Sequence, residues 1–323
     1  MDLKQKILQI LEKNRGKAVS GEEIANILSV SRSAVWKGVS ALRKDGYDIV
    51  AVTNKGYCLN ENSEELSPQG IYALYENCPY EIEVIKQVSS TNSVVKSYAQ
   101  QGKSENYVLF SQSQTEGRGR LGRRFESPDK TGLYMSLLLR PKMSAKDALF
   151  ITTSAAVAVA RAIDSLSENG ENSKIKWVND IYLNDLKVCG ILTEASMDFE
   201  SGGLEYAVLG IGVNVYHSEV FDSELKGIAG GIFKSEVKNA RNRLACGILK
   251  ELEFCLKEEN RKEVLAEYKK RSYLDGKSVN VISPKESYPA DVVGIDDEAR
   301  LIVKTKDGEI KTISSGEVSV RTI

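Results

Sequence analysis

The run Gln114-Thr115-Glu116-Gly117-Arg118-Gly119-Arg120-Leu121-Gly122-Arg123-Arg124-Phe125 puts three glycines, four arginines and a closing aromatic into twelve residues. Glycine lets a backbone approach a ligand closely and visit positive φ. Arginine offers a planar, permanently charged fork for phosphate and carboxylate oxygens. Together they read as a mobile loop whose amides and guanidinium groups wrap an anionic ligand, with Phe125 presenting a face to a flat ring. The plainer alternative is a solvated basic loop, or an Arg-Gly segment that binds nucleic acid loosely.

At 323 residues the chain has room for two or three domains. No apolar run approaches the ~18–20 residues of a membrane span, and Met1-Asp2-Leu3-Lys4 does not open a signal peptide. The five cysteines (58, 78, 189, 246, 255) form no Cys-x-x-Cys pair and read as free or buried thiols of a reducing compartment. A single histidine, His217, argues against a His-clustered metal site and a Ser-His-Asp triad, so no metal ligands are assigned. A cytoplasmic location with no membrane partner is expected.

Charge is uneven. Residues 1–60 hold ten Lys/Arg against six Asp/Glu, a net +4 that leaves −5 on the remainder. A basic lobe on an acidic protein suggests a polyanion partner for that lobe. Its pattern agrees. Leu3, Ile7, Leu8, Ile10 and Leu11 predict a helix over about 2–13. Ser20 and Glu23 predict a capping box opening a second, and Ser31 caps a third with Ala34, Val35, Val39 and Leu42 inward. A hairpin follows, Ile49–Val52 and Tyr57–Leu59 about Asn54-Lys55-Gly56. This is a winged helix-turn-helix over 1–62. Its third helix would lead into the major groove with Arg32, Ser33 and Lys37, and Lys55 in the wing would meet backbone phosphate. Trp36 either packs or reads DNA, and a winged helix used only for protein contacts is the alternative.

Asn60–Glu65 is polar and acidic and reads as an interdomain linker. A central mixed α/β domain is expected over 66–274. Strand Ile82–Ile85 runs into Ser89-Ser90-Thr91-Asn92, whose hydroxyls and amide either bond a neutral polar ligand or cap the next helix. Tyr107–Phe110 delivers Gln112, Gln114 and the Gly-Arg run. Leu133–Leu139 is a strand and Ala148–Leu166 a long core helix. Lys174–Trp177 leads to Asn179-Asp180, and a hairpin turns at Asn184-Asp185. Lys187 leaves that turn as a ligand cation or a solvated lysine, Asp180 is a functional carboxylate or a turn residue, and Gly190 permits close approach. Tyr206–Asn214 ends in Gly-x-Gly-x-Asn. Over 275–323, five short alternating runs predict an SH3-like β-barrel. The fold class is α+β multidomain.

Ser89–Asn92, the Gly-Arg run, the stretch from Lys176 to Leu192 and Gly210–Asn214, in this order, resemble the biotin protein ligases, whose central domain is class II synthetase-like. With the winged helix, the chain is similar to the bifunctional ligases that also repress the biotin operon. The resemblance implies two steps: biotin and ATP with Mg²⁺ give biotinyl-5′-adenylate, and a lysine of a biotin carboxyl carrier domain then attacks it. It implies catalytic roles for Lys187, Arg118, Arg120 and Asp180. Biotin would be held by Ser90, Thr91, Asn92, Gln114, Arg118, Gly119, Arg120, Lys187 and Gly190. The nucleotide would be held by Arg120, Arg123, Phe125, Asn179 and Asn214, with Phe125 stacking on adenine. Asp180 would orient the acceptor lysine or a metal-bound water. Operator DNA would be bound by Arg32, Ser33, Trp36, Lys37 and Lys55 as an adenylate-dependent homodimer. Two departures stand out: Val178 occupies a position commonly proline, which is expected to loosen the turn, and Phe125 replaces tryptophan. A lipoate ligase, a biotin-sensing factor without catalysis and a ligase without DNA binding are the rival readings.

Overall fold

A computed structural model describes residues 1–144, 147–167, 172–198, 202–219, 225–282, 286–314 and 317–320. The N-terminal unit is α1 (Leu3–Lys13), α2 (Gly21–Leu28), α3 (Arg32–Lys44) and the hairpin β1 (Ile49–Val52) with β2 (Gly56–Leu59). Its own apolar core contains Ile7, Leu11, Ile24, Val35, Val39, Leu42 and Leu59. Ser31 caps α3 through the Ala34 amide at 3.2 Å. Ser20 likewise accepts from the Glu23 amide, but the reciprocal half of the expected capping box is not formed there. The reciprocal box is at α1, between Asp2 and Gln5. Gly56 sits at φ +110° against Val19 and Ser20, so it alone fits where the wing meets the start of α2.

Asn60–Glu65 joins the N-terminal and central units. It is strapped down at both ends. Arg15 donates to the carbonyls of Asn60 (3.2 Å) and Ser63 (2.9 Å) while pairing with buried Glu12. Further along, Glu64 accepts from the Tyr216 hydroxyl at 3.1 Å and the Ala240 amide at 3.2 Å, and its carbonyl accepts from Arg241 at 2.5 Å. The reason is tertiary: Arg15 lies 45 residues before Asn60, and Tyr216, Ala240 and Arg241 lie some 150–180 residues beyond the segment.

The central unit is a seven-stranded mixed sheet in the order β3-β4-β5-β9-β8-β7-β6. Its strands are β3 (Glu81–Val88), β4 (Tyr107–Gln114), β5 (Gly132–Leu139), β6 (Lys174–Lys176), β7 (Asp180–Leu183), β8 (Leu186–Met197) and β9 (Leu204–Asn214). Only β3 and β4 run parallel, joined by α5 (Thr91–Gln100). The β7–β8 turn has φ of 51° at Asn184 and 61° at Asp185, as a two-residue hairpin turn requires. α4 (Pro68–Leu74) packs between α1 and α7 (Ala240–Cys255), and α6 (Ala148–Leu166) packs against α7 and α8 (Arg261–Lys270). One apolar stretch does reach span length, contrary to expectation: α6 has 19 residues and a mean hydropathy of 1.4. Most of its side chains face the sheet and neighbouring helices, which is why it is so apolar.

The C-terminal unit is an antiparallel sheet in the order β13-β12-β11-β10-β14, formed by β10 (Ser278–Ile282), β11 (Ser287–Ile295), β12 (Leu301–Thr305), β13 (Ile310–Ile313) and β14 (Glu317–Val320). It is SH3-like, but among the described residues β13 and β14 do not pair, so the barrel is not closed. Val279, Val292, Leu301 and Val303 join the same apolar core as the central sheet. Trp177 Nε1 donates to the Ala299 carbonyl at 2.9 Å across that join.

Candidate active site and DNA-binding surface

A cavity of about 250 Å³ lies where β4, the β7–β8 hairpin, the end of β9 and the start of α5 converge. Every central-domain residue given a catalytic, biotin or nucleotide role lines it, namely Ser90, Thr91, Asn92, Gln114, Arg118, Gly119, Arg120, Arg123, Phe125, Asn179, Asp180, Lys187, Gly190 and Asn214, whereas Ser89 and Gln112 are not in the lining. Residues up to 124 positions apart in sequence therefore share one hollow.

The Gly-Arg run has a defined backbone path in this structure. It folds back as a small hairpin with Arg118 opposite Arg124, closed by Gly119 N to Arg123 O at 2.7 Å and Phe125 N to Gly117 O at 2.9 Å. The Gly119 amide, expected to wrap a ligand, is thus spent inside the hairpin. What the hairpin presents to the cavity is guanidinium. Arg120 Nη1 donates to Asn179 Oδ1 at 3.2 Å, tying the run to the β7 entrance. At the tip Leu121 stands exposed at φ 56°. With exposed Ile228 it gives the cavity rim two large apolar side chains.

The turn before β7 is fixed despite Val178. Tyr268 donates to the Val178 carbonyl at 3.0 Å, and Asn179 exchanges bonds with Ile191, Nδ2 to O at 2.8 Å and O from N at 3.0 Å. The Trp177–Val178 peptide is cis. Lys187 Nζ lies 2.8 Å from Asp180 Oδ1, with both side chains largely buried. Asp180 therefore serves first as the partner of Lys187. Behind them, burial pushes the Cys189 thiol well up, so it forms an inert wall and not a nucleophile.

Phe125 lies over the sheet between two glycines. A Cβ at Gly212 would come within 2.6 Å of its ring and one at Gly190 within 3.3 Å. Tyr134 meets it edge-on at 6.3 Å, its own hydroxyl held neutral by burial, which pushes it up to about 12. Asn214 Nδ2 reaches the Lys187 carbonyl at 3.5 Å.

At the other end of the cavity the helix-capping alternative fails: Ser90 is the N-cap of α5, but its side chain makes no capping bond. Thr91 N donates to Gln114 Oε1 at 2.9 Å, and Gln114 Nε2 donates to Ser127 at 2.9 Å. Asn92 is buried, with its amide donating to Glu194 at 2.9 Å and the Leu192 carbonyl at 3.3 Å. Ser136, Ser127 and Glu194 were missed from the sequence. Ser136, a lone polar residue within the apolar run Gly132–Leu139, was the one detectable signal.

A second cleft of about 830 Å³ opens on the far side of Arg120, Ile191 and Leu192, between α6 and the β11–β12 turn. In the N-terminal unit, Arg32, Ser33, Trp36 and Lys37 all stand exposed on α3, and Lys55 is exposed in the wing turn. Trp36 is 58 % exposed, so the packing alternative for it is excluded within this chain.

The comparisons with known proteins follow the same division. Residues 4–58 match a helix-turn-helix domain model, 84–214 the biotin/lipoate A/B protein ligase family, and 276–321 the biotin protein ligase C-terminal domain. The bifunctional ligase/repressor BirA of Bacillus spizizenii is 31 % identical over 328 residues, 98 % of each chain. That of Escherichia coli is 29 % identical over 312 residues, 95 % of this chain and 94 % of its own. Among solved structures, a biotin protein ligase from Aquifex aeolicus in complex with biotin and ATP is 27 % identical, with a TM-score of 0.62 over 75 % of this chain and 98 % of that one.

Proposed function

The chain belongs to the biotin/lipoate A/B protein ligase family, among its bifunctional ligase/repressors, and from that premise we infer that it ligates biotin with ATP and represses the biotin operon. The observation that carries the chemistry is the convergence of Arg118, Arg120, Arg123 and Lys187 on one cavity whose opposite end is neutral and polar. In the first step a biotin carboxylate oxygen attacks the α-phosphorus, and the bond to pyrophosphate breaks. Negative charge gathers on the reacting oxygens, so preorganised cations lower the barrier. Lys187, steadied by Asp180, sits at the reacting end, and Arg120 is held by Asn179 to face it. Phe125 stacks on adenine above Gly190 and Gly212, and Asn214 meets the ring's polar edge. Thr91 and Gln114 take the ureido end.

In the second step the ε-amine of a carrier-domain lysine attacks the acyl carbon, and AMP leaves with the C–O electrons. The cleft beyond Arg120 is where that domain docks, with the C-terminal sheet as its other wall. ATP enters as its Mg²⁺ complex. Among the described residues no cluster of three or more metal-ligating side chains exists, and Asp180 is engaged by Lys187. A Mg²⁺ ion carried on phosphate oxygens and water would need no more than one or two protein carboxylates beside them. For repression, α3 enters the major groove of operator DNA. A homodimer formed on adenylate binding would use the outer edge of β8 beyond Gly190, which no described strand pairs. An operator partner places the protein in the cytoplasm.

Pyrophosphate release tests the reading. It should require both ATP and biotin. Equal release with lipoate in place of biotin, or none with biotin, would overturn it.

A further inference from the structure

The solvent face of α3 carries one residue that charge alone does not explain. Arg32, Ser33, Trp36, Lys37 and Ser40 recur on that face turn by turn, while Val35, Val39 and Leu42 are buried on the opposite one. Other cations of the N-terminal unit are engaged within it. Arg43 Nε donates to the Ile49 carbonyl at 2.7 Å, Arg15 pairs with Glu12, and Lys4 Nζ lies 2.8 Å from Asp45 Oδ2. Arg32 and Lys37 make no ion pair among the described residues, and Ser33 Oγ is turned to Ser31 Oγ at 2.9 Å. Between those two cations stands the exposed indole of Trp36. Among the described residues its ring meets no aromatic or cationic group, and its N–H donates to nothing.

That combination narrows the base an α3 docked in the major groove would seek. An indole N–H can only donate, and the ring that carries it is apolar. Thymine presents an acceptor, O4, beside a methyl group. Cytosine presents an amino donor, which sets donor against donor. Adenine and guanine offer acceptors but no methyl, so the ring would lie against polar edges alone. Thymine meets both halves of the side chain.

We propose that Trp36 is a specificity-determining residue that selects a thymine in the operator, its N–H donating to O4 and its ring covering the 5-methyl group. This rests on α3 entering the major groove. Arg32 and Lys37 supply the charge that holds the helix on the duplex, and Trp36 supplies a choice of base. The indole is uncharged, so its share of the binding is insensitive to salt.

The test uses the whole chain with biotin and MgATP, and a duplex that it enriches from a random pool. Each thymine of that duplex is replaced in turn by deoxyuridine, which keeps O4 and removes only the methyl group. Fluorescence anisotropy of the labelled duplexes gives the affinity of wild type, Trp36→Ala and Trp36→Phe. At one thymine per bound copy the wild type should lose roughly fourfold, as burying one methyl group implies. There Trp36→Ala should bind the thymine and deoxyuridine duplexes equally, and Trp36→Phe should keep the difference. Trp36→Ala should also bind the parent duplex more weakly, with the slope of log affinity against log salt unchanged, unlike the loss of a phosphate contact. Deoxyuridine losses that are the same in wild type and Trp36→Ala at every position, or equal affinity of the two proteins for the parent duplex, would overturn the proposal. A wild type that enriches no duplex would overturn the DNA-binding reading beneath it.

Discussion

Replacing Lys187 by methionine should separate a structural effect from a chemical one. Its ammonium lies 2.8 Å from Asp180 Oδ1, an oxygen closed to solvent with no other hydrogen-bond partner. At that distance and an effective dielectric of about 20, the gross attraction is about 6 kcal/mol, most of it offset by the desolvation of both groups. Removing the lysine leaves the carboxylate oxygen buried and unpaired, which costs roughly 1–3 kcal/mol of stability. Removing a cation aimed at the charge of the transition state costs a further ~3–4 kcal/mol of barrier, or about 10²–10³ in rate. The double variant Lys187→Met/Asp180→Asn has no buried charge to strand. It should recover most of the stability and none of the rate. Urea denaturation measures the first quantity and single-turnover pyrophosphate release the second. Adenylation within about threefold of wild type in Lys187→Met would refute the chemical assignment, and equal stability of single and double variants would refute the structural one.

Arg120→Ala should slow ligation and let adenylate escape, seen as biotin labelling of a bystander protein's surface lysines; tight retention of adenylate would contradict its placement. Glu267 is bonded by Arg161 at 2.5 Å and Arg271 at 2.7 Å; burial works against its charge, but the two guanidinium groups outweigh it and hold the carboxyl below its ordinary 4.5. Its contribution is therefore complete above that pH and lost as the pH falls through the folded-state value. Glu267→Gln should be less stable by roughly 1–3 kcal/mol at pH 7 and approach wild type only below the folded-state value, as unfolding curves at pH 7 and at a series of pH values descending below 4.5 would reveal. Lys37→Ala should weaken operator binding and lower the slope of log affinity against log salt by about one, without touching ligation.

How much the sequence disclosed depended on how local the cause was. α6 could be bounded at Ala148 and Leu166 because its apolar pattern is continuous, and Asn184-Asp185 announced its turn because few residues accept φ > 0 at both positions. The ligand-facing residues were readable as spaced sets, and the cavity gathers them. Residues that act on those residues were not readable. Asn92 lines the cavity, but the groups that hold its amide, Glu194 and Ser136, are brought near only by the β5 and β8 registers. The ties of Asn60–Glu65 were not readable because polar residues bonded to distant Tyr216, Arg241 and, through the Glu65 carbonyl, Asn242 have the composition of polar residues bonded to water. The hairpin of the Gly-Arg run was not readable because glycine content shows what a backbone can do, whereas the Gly119–Arg123 and Phe125–Gly117 bonds are a property of the closed hairpin.

The most direct test of the central claim is incorporation of labelled biotin into a biotin carboxyl carrier domain with MgATP, run beside an acceptor whose target lysine is arginine. Label on the lysine form alone is the predicted result. Biotin binding without any label on the acceptor would contradict the account and leave a sensor in place of a ligase.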